Sequence, residues 1–82
     1  MTFETNKQYN FSVKGFTYLK DWAFIVFAAD AANYKVIIGS KQQFPMSELM
    51  MLKGNSVEVT YRGVKNINGI DYSQFSLDCI AF

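Results

Sequence analysis

The chain has 82 residues, and its eight Lys or Arg nearly cancel its seven Asp or Glu; the net charge of +1 gives no global attraction to nucleic acid or to anionic membranes. Half of the residues are hydrophobic and 17% are aromatic, which supplies the dense core a domain of this size needs, while no apolar run approaches the roughly 20 residues of a membrane span. With no histidine and one cysteine, Cys79, the sequence excludes an intramolecular disulfide and a Cys–His or Ser–His nucleophile pair, offers no zinc-ligand set, and fits a reducing compartment.

The N-terminus carries no charged-then-apolar signal pattern. The expected location is therefore cytoplasmic, or the host cytoplasm for a virus or mobile element. Residues 7–19 alternate, with Tyr9, Phe11 and Val13 against Asn10, Ser12 and Lys14, which predicts a half-buried first strand. Gly15 falls within it, where glycine marks a bulge or bend. Lys20-Asp21 is a short polar turn. Trp22–Ala29 predicts a second strand, apolar on both faces, and Asp30–Asn33 is the next connection. Tyr34–Gly39, rich in β-branched residues, predicts a third strand.

The pattern then changes period. Pro45–Leu52 predicts a short helix, with Pro45 suited to its start and Gly54 to its stop. Met46, Leu49 and Met50 fall at i, i+3, i+4 and form an expected apolar stripe; Met46, Met50 and Met51 are read as core of a helical plug, with an adaptable protein contact as the alternative. Ser56–Val64 alternates Val57, Val59 and Tyr61 with Glu58, Thr60 and Arg62 and predicts a fourth strand. Asn66–Gly69 carries an Asn-Gly hairpin signal, and a fifth strand follows from about Ile70 to Ile80, with Cys79 on an inward position.

Three strands, one short helix and two strands is the order of the OB-fold, a five-stranded Greek-key barrel. The expectation is an all-β domain over residues 1–82, with the helix between strands three and four. The rival is an SH3-like barrel, which normally carries only a 3₁₀ turn in place of the helix. No Gly-rich phosphate loop, paired carboxylates or repeats stand out, so the expected class is a non-catalytic binding module, without metal or cofactor.

The stretch Val13-Lys14-Gly15-Phe16-Thr17-Tyr18-Leu19-Lys20-Asp21-Trp22-Ala23-Phe24-Ile25 resembles the opening of the cold-shock domains, whose pattern reads V-K-W-F-N-x-x-K-G-F-G-F-I. Val13, Lys14, Phe16, Lys20, Phe24 and Ile25 match, and Trp22 replaces a phenylalanine. Leu52–Val59 is similar to a later L-x-x-G-x-x-V-x-F segment. Gly15 stands where the family has a stacking tryptophan, Asp21 where it has glycine, and Tyr34–Ile38 where its V-F-V-H-F motif belongs. The resemblance implies a single-strand-binding surface on the first hairpin.

Strand parity points the same way. If Phe11 and Val13 point inward and Gly15 adds no bulge, Phe16 points outward; Ile25 and Phe27 inward leave Trp22 and Phe24 outward. Phe16, Trp22 and Phe24 would stack on bases, with Lys14, Lys20 and Lys35 near phosphates and Lys65, beside the hairpin tip, as a secondary contact. The ordinary alternatives are core packing for the rings and solvation for each lysine. Fourteen aromatic residues are more than a small barrel hides, so some rings are expected to be exposed or at an interface. The competing function is a protein-interaction or self-assembly module, in which the doubly apolar second strand meets a partner or a second copy.

Overall fold

The computed structural model describes residues 2–81, and the side chains of residues 2–78. Five strands and one helix follow the expected order: β1 (Gln8–Leu19), β2 (Trp22–Ala29), β3 (Ala32–Ser40), α1 (Met46–Leu52), β4 (Ser56–Ile67) and β5 (Ile70–Ala81). They close into a barrel in the order β1-β2-β3-β5-β4, with β1 serving both sides. Its first half, Gln8–Ser12, pairs with β4; from Val13 onward it pairs with β2. All seams are antiparallel except β3 with β5, which is parallel and registers at Ile37 and Gln74. This is the OB-type arrangement, a Greek-key barrel with one helix between strands three and four. Among the described residues no helix is long and apolar enough to cross a membrane.

Two-residue turns set the hairpins. Asp30 and Ala31 have φ of 53° and 63° between β2 and β3, and Asn68 and Gly69 have φ of 54° and 83° between β4 and β5. Positive φ at both central positions is the type I′ signature, whose twist matches the flanking strands. The Asn68-Gly69 turn is tight enough for β4 to continue to Ile67, three residues past the expected end.

The core inside the barrel follows the period-two pattern: Phe11 and Val13, Ala23, Ile25 and Phe27, Val36 and Ile38, Val57, Val59 and Tyr61, and Phe75. Phe11 and Phe27 stack with centroids 3.7 Å apart. The N-terminal arm adds Phe3, whose ring lies within 6.0 Å of those of Tyr9, Phe11, Tyr61 and Phe75. The helix anchors through Leu49 and Leu52, both buried. Met46, Met50 and Met51 are exposed instead of plugging the barrel, because a seven-residue helix at i, i+3 spacing turns only one narrow face inward.

A second apolar cluster lies outside the barrel. Phe24 and Ile37, cross-strand neighbours on β2 and β3, are fully buried with Ile67, and Leu19, Trp22 and Tyr72 pack around them. Beyond a bulge between Tyr61 and Gly63, with Gly63 at φ 105°, the distal β4–β5 hairpin lays Ile67 and Tyr72 over the outer face of β2 and β3. The double apolar character of β2 is thus satisfied within the chain: one face lines the barrel, the other lies under the hairpin. Of the described aromatic side chains, Phe11, Phe24, Phe27, Tyr61 and Phe75 are buried and the rest half-buried. The inward position expected of Cys79 concerns a side chain outside the described ones.

Candidate nucleic-acid interface

Trp22 opens β2, immediately after the Lys20-Asp21 turn, and pairs with Leu19 on one side and Ser40 on the other. It is half-buried and borders a groove of about 340 Å³ between the end of β3 and the middle of β5. Gln43, Phe44, Arg62, Gln74 and Ser76 also line this groove, and no Asp or Glu does. A second cleft, of about 490 Å³, is lined by Asp21, Ser40, Lys41 and Gln42.

Local structure explains why these groups converge. Gly39 brings the chain past the loop that follows: a Cβ there would lie 2.5 Å from the Phe44 ring and 2.8 Å from Gln43 Oε1. The absence of a side chain lets both residues fold back onto the end of β3. The Ser40 N–H donates to Gln43 Oε1 (3.1 Å), and the Gln43 N–H lies 3.2 Å from Ser40 Oγ and 3.1 Å from Ser40 O. The Tyr18 hydroxyl donates to the Phe44 carbonyl and ties β1 to the same loop. On the opposite wall Arg62 is the extra residue of the β4 bulge. It is exposed, with Nε donating to Ser76 Oγ (3.0 Å) and Nη1 to Asn6 Oδ1 (3.2 Å).

The electrostatics are local. The ion pair found among the described residues, Lys7 with Glu4 at 3.7 Å, is exposed, and neither residue lines the groove. Lys65 instead holds its ammonium 4.3 Å from the centroid of the Trp22 ring, and Lys35 lies 5.6 Å from those of both Phe24 and Tyr72. These cations sit against aromatic faces with no carboxylate neutralising them among the described residues. No grouping of three or more metal-binding side chains occurs among the described residues.

The structure divides the seven residues singled out from the sequence. Lys65 meets Trp22 at the start of β2, and Lys20 is exposed in the turn two residues before it. Lys35 belongs to the same outer face, farther along β3. Lys14, exposed, lies five residues before Leu19, roughly 16 Å along the strand from Trp22.

Two of the rings require correction. Phe16 does not face outward: a bulge between Val13 and Gly15 inserts Lys14, reverses the parity of the rest of β1 and pairs Phe16 with inward Ile25, so its ring packs on the barrel core. Phe24 does point out of the barrel, but it is 0% exposed, with Tyr72 edge-on at 4.8 Å. The three-ring platform is therefore reduced to Trp22. Of the residues outside the original set, Arg62 carried a weak signal by alternation, and Tyr61, its neighbour, is core. Gln43, Phe44 and Gln74 carried none, because only the closure of β3 against β5 makes them neighbours.

Comparison with known proteins finds no match for this chain among family models, curated proteins or solved structures. Its class rests on the barrel topology.

Proposed function

We propose that this barrel is a non-catalytic module that binds single-stranded DNA or RNA in the groove beside Trp22. The observation that carries the reading is the composition of that groove: one indole, two carboxamides and a guanidinium, without a carboxylate in its lining. An indole stacks on any base, amides pair with base edges, and a guanidinium meets phosphate. OB-type barrels bind oligonucleotides and oligosaccharides across strands two and three and the loops after strands one and four. The Lys20-Asp21 turn and the Lys65-bearing hairpin correspond to those loops. Stacking contributes about 1–3 kcal/mol per base, so a small site of this kind supports micromolar affinity without a large net charge.

Because Trp22 is the sole tryptophan, its fluorescence reports on the site directly. Titration with a mixed-sequence oligonucleotide is expected to give saturable quenching that duplex DNA does not produce. Trp22→Ala, in a protein that stays folded, is expected to weaken binding at least tenfold by anisotropy. Unchanged affinity refutes the groove.

A protein-contact role has its own support in Met46, Met50 and Met51, which are 52%, 63% and 56% exposed on one short helix. Light scattering at high concentration tests its homo-oligomeric form: a strict monomer removes it. The two roles use different faces and are compatible.

A further inference from the structure

We propose that Gln43 makes the groove select bases with a carbonyl at C4 of a pyrimidine or C6 of a purine (uracil, thymine, guanine) over those with an amino group there (cytosine, adenine). The inference rests on the single-strand reading above and adds a specificity-determining residue to it.

A carboxamide is nearly symmetric in shape and opposite in hydrogen-bonding sense at its two ends, so its orientation decides what it reads. In Gln43 that orientation is fixed by the backbone. Oε1 accepts from the Ser40 N–H at 3.1 Å, a position that an NH₂ group, itself a donor, cannot occupy. The Gln43 N–H returns to Ser40 at Oγ and the carbonyl, which closes a reciprocal loop around the end of β3. Gly39 leaves the space this loop needs, since a Cβ would crowd both the Gln43 oxygen and the Phe44 ring. The end left over is the Nε2 amine, which has no partner among the described residues.

The rest of the groove reinforces a donor-rich character. Arg62 is donor-only, and Ser76 Oγ already accepts from it. Gln74 has no side-chain hydrogen bond among the described residues to fix which end of its carboxamide faces the groove, so it sets no preference of its own. A base stacked against Trp22 that offers O4 or O6 toward Gln43 completes a hydrogen bond. One that offers N4–H₂ or N6–H₂ sets donor against donor and leaves both unsatisfied.

The test compares oligodeoxyuridine with oligodeoxycytidine of about 12 nucleotides, within the span of one OB domain. These bases match in size and differ at position four and at the adjoining N3, which donates in uracil and accepts in cytosine; the Gln43 variants tie any preference to position four. Binding of the full chain is followed by Trp22 fluorescence in mildly alkaline buffer, where cytosine is neutral. Deoxyuridine is expected to bind about fivefold more tightly, the worth of one net hydrogen bond. Gln43→Glu keeps an oxygen for the Ser40 N–H and replaces the free donor with an acceptor. Its added charge lowers both affinities, and the ratio is expected to invert in favour of deoxycytidine. Gln43→Leu is expected to bring the ratio to about one, and it decides the matter if the Glu variant fails to fold by circular dichroism. Equal binding of the two oligomers by the native chain, or a ratio unmoved by either substitution, overturns the base selection and leaves the single-strand reading standing. No binding of either oligomer overturns both.

Discussion

Lys65 rests its ammonium 4.3 Å from the ring centroid of Trp22, whose remaining surface is shared between the Phe24–Ile37–Ile67 cluster and the groove. A cation in that position contributes about 0.5–1 kcal/mol to holding the hairpin down at a partly exposed site. Lys65→Met keeps the aliphatic stem and removes the charge. It is expected to lower stability by no more than about 1 kcal/mol in urea unfolding. In the proposed function it also makes the slope of log affinity against log salt shallower by about 0.7, one phosphate contact's worth for a single strand.

Salt dependence as a whole should be modest. Arg62 lines the groove and Lys65 lies over its Trp22, with Lys20 and Lys41 in the adjoining turns, so the proposed function expects two or three phosphates to be neutralised. The expected slope is about −1.4 to −2 for single strands, measured by repeating the titration at several salt concentrations. A slope several times steeper would mean that binding is carried by a wider cationic surface than the groove.

Phe24 separates a packing role from a binding role. A surface stacking ring removed by mutation costs affinity and leaves stability alone. Phe24, fully buried with Ile37 and Ile67, does the reverse. Phe24→Ala is expected to destabilise the protein by about 3–5 kcal/mol, through lost burial and the cavity left between the barrel and its hairpin. A denaturation midpoint close to that of the native chain would show that the hairpin does not cover β2 in solution.

Phe16 and Phe24 also show where sequence legibility ends. Alternation along β1 and β2 reads correctly as far as each strand stays regular: Phe11, Val13, Ile25 and Phe27 are inward as the period predicts. One inserted residue at Lys14 reverses the parity beyond it, and glycine at position 15 signals a bulge without saying whether one forms. Phe24 has the right parity and the wrong exposure, because its cover comes from residues more than forty positions away, Ile67 and Tyr72. The strand order, the helix position and the Asn-Gly hairpin are encoded locally and were legible. Gln43 and Gln74 become neighbours only through the β3–β5 closure, which no local pattern announces.

Gly63 controls how the hairpin reaches that face. Its φ of 105° lies where a side chain is strained, yet a Cβ would meet nothing within 4 Å, so any penalty for substitution is conformational and not steric. Gly63→Ala is expected to cost about 1–3 kcal/mol. Part of that cost should appear as local opening: amides of residues 64–73 lose hydrogen-exchange protection ahead of those in β1 and β2. Uniform loss of protection across all strands would show that the hairpin and barrel open as one unit.

Ala31 offers the opposite test, because there glycine should help. Ala31 sits at φ 63° in the second position of the Asp30-Ala31 turn, a conformation that costs an L-residue with a Cβ roughly 1–2 kcal/mol. Glycine removes that strain but enlarges the freedom of the unfolded chain, which offsets part of the gain. Ala31→Gly is therefore expected to raise stability by about 0.5–1 kcal/mol. The control is Ala28→Gly, exposed on β2 and paired across to Asn33, where the same exchange should lower stability by about 0.5–1 kcal/mol. Opposite shifts of the urea midpoint in the two variants would establish the type I′ geometry of the turn. A loss of stability in both would mean that the β2–β3 connection adopts another conformation.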